Sequence, residues 1–201
     1  MSYPIPTEQA VAEIEIKKSR FIAYASHVIS REAGMLWLAE IKADYPDARH
    51  HCWAYQIGNP NCATNAGMGD DGEPSGTAGK PILNVLQHKG VGDIMIIIVR
   101  YFGGIKLGAG GLTRAYGQAA QAVMEVLKTE QEVPKTEINI TCDFSQEQPV
   151  RHWLSLVSGE LLSVDYQQQV LMSLQLPDEE LEGFKATLVA NQCAFKVTEK
   201  S

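Results

Sequence analysis

Cysteine is scarce in this 201-residue sequence: there are four (Cys52, Cys62, Cys142 and Cys193), and none is spaced as CxxC. That scatter excludes a disulfide scaffold and reads as reduced thiols in a cytosolic protein. No apolar run approaches the about 20 residues needed to cross a bilayer. The start, Met1 to Pro6, lacks the basic-then-apolar layout of a signal peptide, so a cytoplasmic protein with no membrane partner is expected. Positive charge is not in excess either. Against 17 Lys and Arg stand 24 Asp and Glu, a net −7, which excludes coating nucleic acid by bulk charge. The balance is uneven, at 12 basic to 14 acidic over residues 1–132 and 5 to 10 over residues 133–201. An anionic partner would therefore meet the first part.

The most distinctive stretch is residues 90–117. Ile94 to Val99 is an unbroken apolar run rich in β-branched residues, too short for a buried helix and too uniform for a strand with one wet face. It predicts a central strand covered on both sides. Arg100, Tyr101 and Phe102 follow, then five glycines in nine residues: Gly103, Gly104, Gly108, Gly110 and Gly111. Leu112 to Leu127 returns to helical spacing. A strand, a glycine-rich turn and a helix can cradle an anion on free N–H groups, with Lys106 and Arg114 adding charge. The same glycines equally allow a small-residue helix to pack tightly on the strand.

Before that stretch, alternation predicts strands at 10–16 and 21–25 joined by a basic turn. Ser30 reads as the N-cap of an amphipathic helix over Arg31–Ala43, with Ala33, Leu36, Trp37 and Ile41 on one face. Arg49 to Gly58 reads as a strand with Arg49, His51, Trp53, Tyr55 and Ile57 on one side and His50, Cys52, Ala54 and Gln56 on the other. That alternation separates His51 from His50 and Cys52, which argues against both a metal site and a Cys–His pair. Asn59 to Gly76 reads as a long polar loop, carrying Asp70, Asp71, Glu73 and Ser75 toward the same site. Thr77 to Gln87 reads as a helix capped by Thr77, with Pro81 in its first turn. Gly79-Lys80 does not make a phosphate-binding P-loop: Pro74 and Pro81 occupy the places of its first glycine and its Ser/Thr. No metal and no cofactor are expected.

Residues 128–136 are polar and end the long helix, which places a boundary between domains 1–132 and 133–201. Beyond it the pattern runs strand (137–143), helix (146–157), strand (160–166), strand (168–176), helix (178–190), strand (194–198). This is the ferredoxin-like β-α-β-β-α-β order, and it carries no motif of its own.

The string Arg100-Tyr-Phe-Gly-Gly-Ile-Lys-Leu-Gly108, with Gly90-Val-Gly-Asp93, Asp70-Asp-Gly-Glu-Pro-Ser-Gly-Thr-Ala-Gly-Lys-Pro81 and Arg49-His-His-Cys52, resembles the IMPACT family, in its bacterial branch. The resemblance covers essentially the whole chain. It implies an α+β protein with an N-terminal domain like domain 2 of ribosomal protein S5 and a C-terminal ferredoxin-like domain. The eukaryotic relatives regulate translation by interfering with activation of a kinase that phosphorylates an initiation factor.

Two functions follow, beside a protein-interaction domain whose polar motifs would form a docking face. The first is a non-catalytic, translation-associated module that binds RNA or a ribosomal or translation-factor surface. Arg49, His51, Lys80, Arg100, Lys106 and Arg114 would supply charge around the glycine turn, with Tyr101 and Phe102 as stacking surfaces. The second is a small-molecule phosphate-binding enzyme in which Gly103 to Gly111 form the cradle and the loop from Asp70 to Thr77 meets it.

Overall fold

In the computed structural model, which describes residues 2–198, the apolar run over Ile94–Val99 is the middle of a five-stranded antiparallel sheet. The first part of the chain contains strands β1 (Tyr3–Pro6), β2 (Ala10–Ile16) and β3 (Ser19–His27), then helix α1 (Arg31–Asp44). It continues with β4 (His50–Ile57), β5 (Asn65–Gly69), α2 (Gly79–Lys89), β6 (Ile94–Tyr101), α3 (Ala109–Val126) and β7 (Thr129–Glu132). The sheet order is β2-β3-β6-β4-β5. Both faces of β6 are covered, as its uniform composition requires. Ile94, Ile96 and Ile98 pack beneath α2 and α3 with Ala115, Tyr116 and Ala119, while Met95, Ile97 and Val99 pack beneath α1 with Leu38 and Ile41.

Four local expectations need correction. The buried stripe of α1 runs through Gly34, Leu38 and Ile41, leaving Leu36 at 69% exposure. The cause is Gly34, which sits so close to Met95 that a Cβ there would lie 2.8 Å from its sulfur. Thr77 does not cap α2: its hydroxyl donates to the Pro74 carbonyl (2.6 Å), and the helix begins after Ala78. The polar stretch 59–76 is not all loop, because β5 pairs with β4 along Asn65–Gly69. Gly67 and Gly69 lie across from Tyr55 and Trp53, whose parallel rings (5.8 Å between centroids) fill the space that Cβ atoms would need. Finally, the polar segment after α3 contains β7, which pairs antiparallel with β1.

The chain divides into two compact units, Tyr3–Glu132 and the part from Val133 onward. The second contains β8 (Lys135–Cys142), α4 (Glu147–Leu156), β9 (Glu160–Tyr166), β10 (Val170–Pro177), α5 (Leu181–Ala190) and β11 (Ala194–Val197), in an antiparallel sheet ordered β11-β8-β10-β9. Alternate residues of β8 and β10 (Ile138, Ile140, Met172, Leu174) pack on Val150 and Leu154 of α4 and on Phe184 and Leu188 of α5. The chain is thus a two-domain α+β protein. No helix among the described residues is long and apolar enough to cross a membrane.

Candidate functional site

Sheet register decides what surrounds Arg100. Across the strands it lies opposite Phe21 of β3 and His50 of β4. Arg100 is buried, and its Nη1 donates to Glu73 Oε1 at 2.5 Å. The Tyr116 hydroxyl of α3 donates to the same oxygen at 2.8 Å. The guanidinium lies 5.6 Å from the centre of the Phe21 ring and 5.7 Å from that of Phe102. Its Nε has no hydrogen-bond partner among the described residues. Cys52 Sγ lies 3.3 Å from the Tyr116 hydroxyl and 2.9 Å from the Asp70 carbonyl oxygen. Burial pushes the Cys52 thiol up, so it stays protonated, which is no state for a nucleophile.

The acids of the loop between β5 and α2 all serve the architecture. Asp70 reaches forward to the start of α2 and accepts from the backbone N–H of Gly76 (2.7 Å), Ala78 (3.0 Å) and Gly79 (2.8 Å). Burial alone would raise its pKa, but the three N–H donors outweigh that and hold the carboxyl below the usual range. Asp71 accepts from Lys42 Nζ (2.8 Å) and from the His51 backbone N–H (2.7 Å). Burial again opposes these contacts, and the carboxyl again ends low. His51 is itself buried, 3.6 Å from Asp71 through Nδ1, and its pKa is lowered by burial first of all. The Gly90–Asp93 motif is likewise structural, since Asp93 accepts from the Tyr3 hydroxyl (2.7 Å) and the Gly58 N–H (2.8 Å).

Over the outer end of Arg100 lies a cleft of about 640 Å³, a volume usual for ligand sites. Of the residues singled out from sequence, Arg49, Glu73, Arg100, Tyr101, Phe102, Lys106 and Gly108 line it. Arg49 and Lys106 are exposed, and Phe102 is 55% exposed. The floor belongs to the ion pair, so the free positive charge is on the rim. The start of α3 opens onto the same space, with Gly108 as its cap residue and no side chain capping it.

The rest of the predicted set is elsewhere. Gly103 packs on the backbone of Lys18 and Ser19, where an added Cβ would lie 2.0 Å from a carbonyl. Its N–H donates to Ser19 Oγ at 3.2 Å. Gly104 falls in the turn, and Gly110, Gly111 and Arg114 lie within α3. Lys80 is exposed on α2, and His51, Asp70, Asp71, Ser75 and Thr77 do not line the cleft. Asp47, His50, Pro74, Leu107, Ala109 and Leu112 complete the lining without having been singled out. Strand alternation places His50 on the face of Cys52, a usable signal; Asp47, which accepts from the Tyr101 hydroxyl at 2.8 Å, carries none in the sequence. Among the described residues no group of three or more His, Cys, Asp and Glu side chains is arranged to hold a metal ion.

Comparison with known proteins bears on both units. The Impact N-terminal domain model matches residues 17–124, and a domain of unknown function (DUF1949) matches residues 140–191. An IMPACT family member of Haemophilus influenzae is 41% identical over 186 residues, covering 92% of this chain and 90% of the relative. The IMPACT family member YigZ of Escherichia coli is 41% identical over 187 residues, covering 93% and 92%. A crystal structure of a hypothetical protein superimposes with a TM-score of 0.73 at 37% identity, covering 100% of this chain and 98% of the other.

Proposed function

The chain belongs to the IMPACT family, and from that premise we propose that it is a non-catalytic, cytoplasmic regulator acting in translation that binds single-stranded RNA in its N-terminal cleft. The translation part rests on the family, whose eukaryotic members regulate translation. The RNA part is carried by one observation: exposed Arg49 and Lys106 stand on a cleft that also holds the half-exposed Phe102 ring. A backbone-tracking charge pair beside an aromatic platform is the usual equipment for unpaired nucleotides. The proposal keeps an S5 domain 2-like domain over 1–132, which rests on the family resemblance, and a ferredoxin-like domain over 133–201, which the β11-β8-β10-β9 order supports. A phosphate-processing enzyme is less well supported. The acids it would use, Asp70, Asp71 and Glu73, are engaged by α2, by His51 and Lys42, and by Arg100.

Fluorescence anisotropy with short labelled single-stranded and duplex RNA tests the proposal. Wild type binds the single strand more tightly, and Arg49→Ala/Lys106→Ala weakens that binding by about tenfold or more at low salt. No binding of either RNA at low salt contradicts it and turns attention to a protein surface of the translation machinery.

A further inference from the structure

We propose that the cleft is a mononucleotide subsite, taking one unstacked nucleotide with its base against Phe102 and its phosphate between Lys106 and the start of α3. This rests on the RNA reading above and narrows it to a nucleotide bearing a phosphate.

Size sets the first limit. A cleft of about 640 Å³ is large enough to take a nucleotide. The base has a platform: the Arg100 guanidinium lies over the Phe102 ring (5.7 Å to its centre), yet the ring remains 55% exposed. Stacking on it completes an arginine–aromatic–base sandwich.

The phosphate has its own partners. Lys106 is exposed and lines the cleft, and Arg49 stands on the same rim. Gly108 and Ala109 bring the first turn of the 18-residue α3 into the cleft, and that turn has no side-chain cap. The first N–H to return to the helix is Leu112's, which donates to the Gly108 carbonyl, so those ahead of it have no acceptor within the helix. Of the two carboxylates of the lining, Glu73 is neutralised by Arg100, whereas Asp47, hydrogen-bonded by the neutral Tyr101 hydroxyl, keeps its charge and is outnumbered by the exposed Arg49 and Lys106.

Calorimetric titration with adenosine 5′-monophosphate and with adenosine, followed by competition against labelled single-stranded RNA, tests the inference. The monophosphate binds at least about tenfold more tightly than the nucleoside and displaces the RNA. Lys106→Ala removes most of that preference, whereas Phe102→Leu weakens both ligands alike by about tenfold. Both side chains are exposed, so the variants keep the fold, which circular dichroism verifies. RNA binding that neither compound displaces overturns the inference and leaves the RNA reading standing. Monophosphate binding without RNA binding does the reverse, and failure of both ligands removes both.

Discussion

Glu73, in the loop before α2, and Arg100, on the central strand, are 27 residues apart and form a buried ion pair with Nη1 2.5 Å from Oε1. Their side chains are only 4% and 7% exposed, so neither charge has water to fall back on. Removing one partner strands the other. Glu73→Ala is expected to destabilise the N-terminal unit by about 3–5 kcal/mol, read as a lower urea midpoint. An apolar pair, Glu73→Leu/Arg100→Met, recovers part of that loss, because the buried Tyr116 hydroxyl still loses its acceptor on Glu73. A midpoint for Glu73→Ala within error of wild type would show that the pair does not hold the loop.

Asp70 caps α2 from eight and nine residues upstream, through the N–H groups of Ala78 and Gly79. Asp70→Ala is expected to cost about 1–2 kcal/mol in chemical denaturation. The folded carboxyl titrates below its ordinary value of 3.8, so its contribution is present above that value and is lost as pH falls through the lower folded value. The wild-type stability curve should therefore decline below pH 3.8 more steeply than that of Asp70→Asn, which has no proton to gain.

Glycines of different kinds separate in thermal melts. Gly103→Ala forces a Cβ to within 2.0 Å of the Lys18 backbone and should destabilise by about 1–3 kcal/mol. Gly117 lies inside α3 with nothing among the described residues within 4 Å of an added Cβ, so Gly117→Ala should stabilise by about 0.5–1 kcal/mol.

Salt dependence distinguishes a phosphate contact from general attraction. Lys106→Ala and Arg49→Ala should each lower the slope of log affinity against log salt by about 0.7 on single-stranded RNA. Arg114→Ala changes a residue outside the cleft and should leave the slope unchanged.

Much of the fold was legible because its signals are local. The alternation of β2, the Ser30 cap of α1 and the apolar run of β6 each sit within or beside their own element, and the β-α-β-β-α-β order is the sum of six such local patterns. What escaped depends on distant partners. The glycines of β5 carry no side chain to show a pattern, and the apolar cover comes from Trp53 and Tyr55 on the neighbouring strand. The cap of α2 comes from Asp70, and β7, polar throughout, is a strand only because β1 lies beside it. At the site, seven of the residues singled out from sequence line the cleft, but their division of labour was hidden. Whether an arginine is a floor paired with Glu73, like Arg100, or free on a rim, like Arg49, depends on contacts that local spacing does not reveal.

The most direct measurement is the change in backbone amide NMR resonances of the ¹⁵N-labelled 201-residue chain on titration with short single-stranded RNA. The account predicts that the largest shifts cluster at Arg49–His50, Phe102 and Lys106–Leu112, around the cleft. Saturable shifts confined to the second unit, with that cluster unmoved, would contradict it.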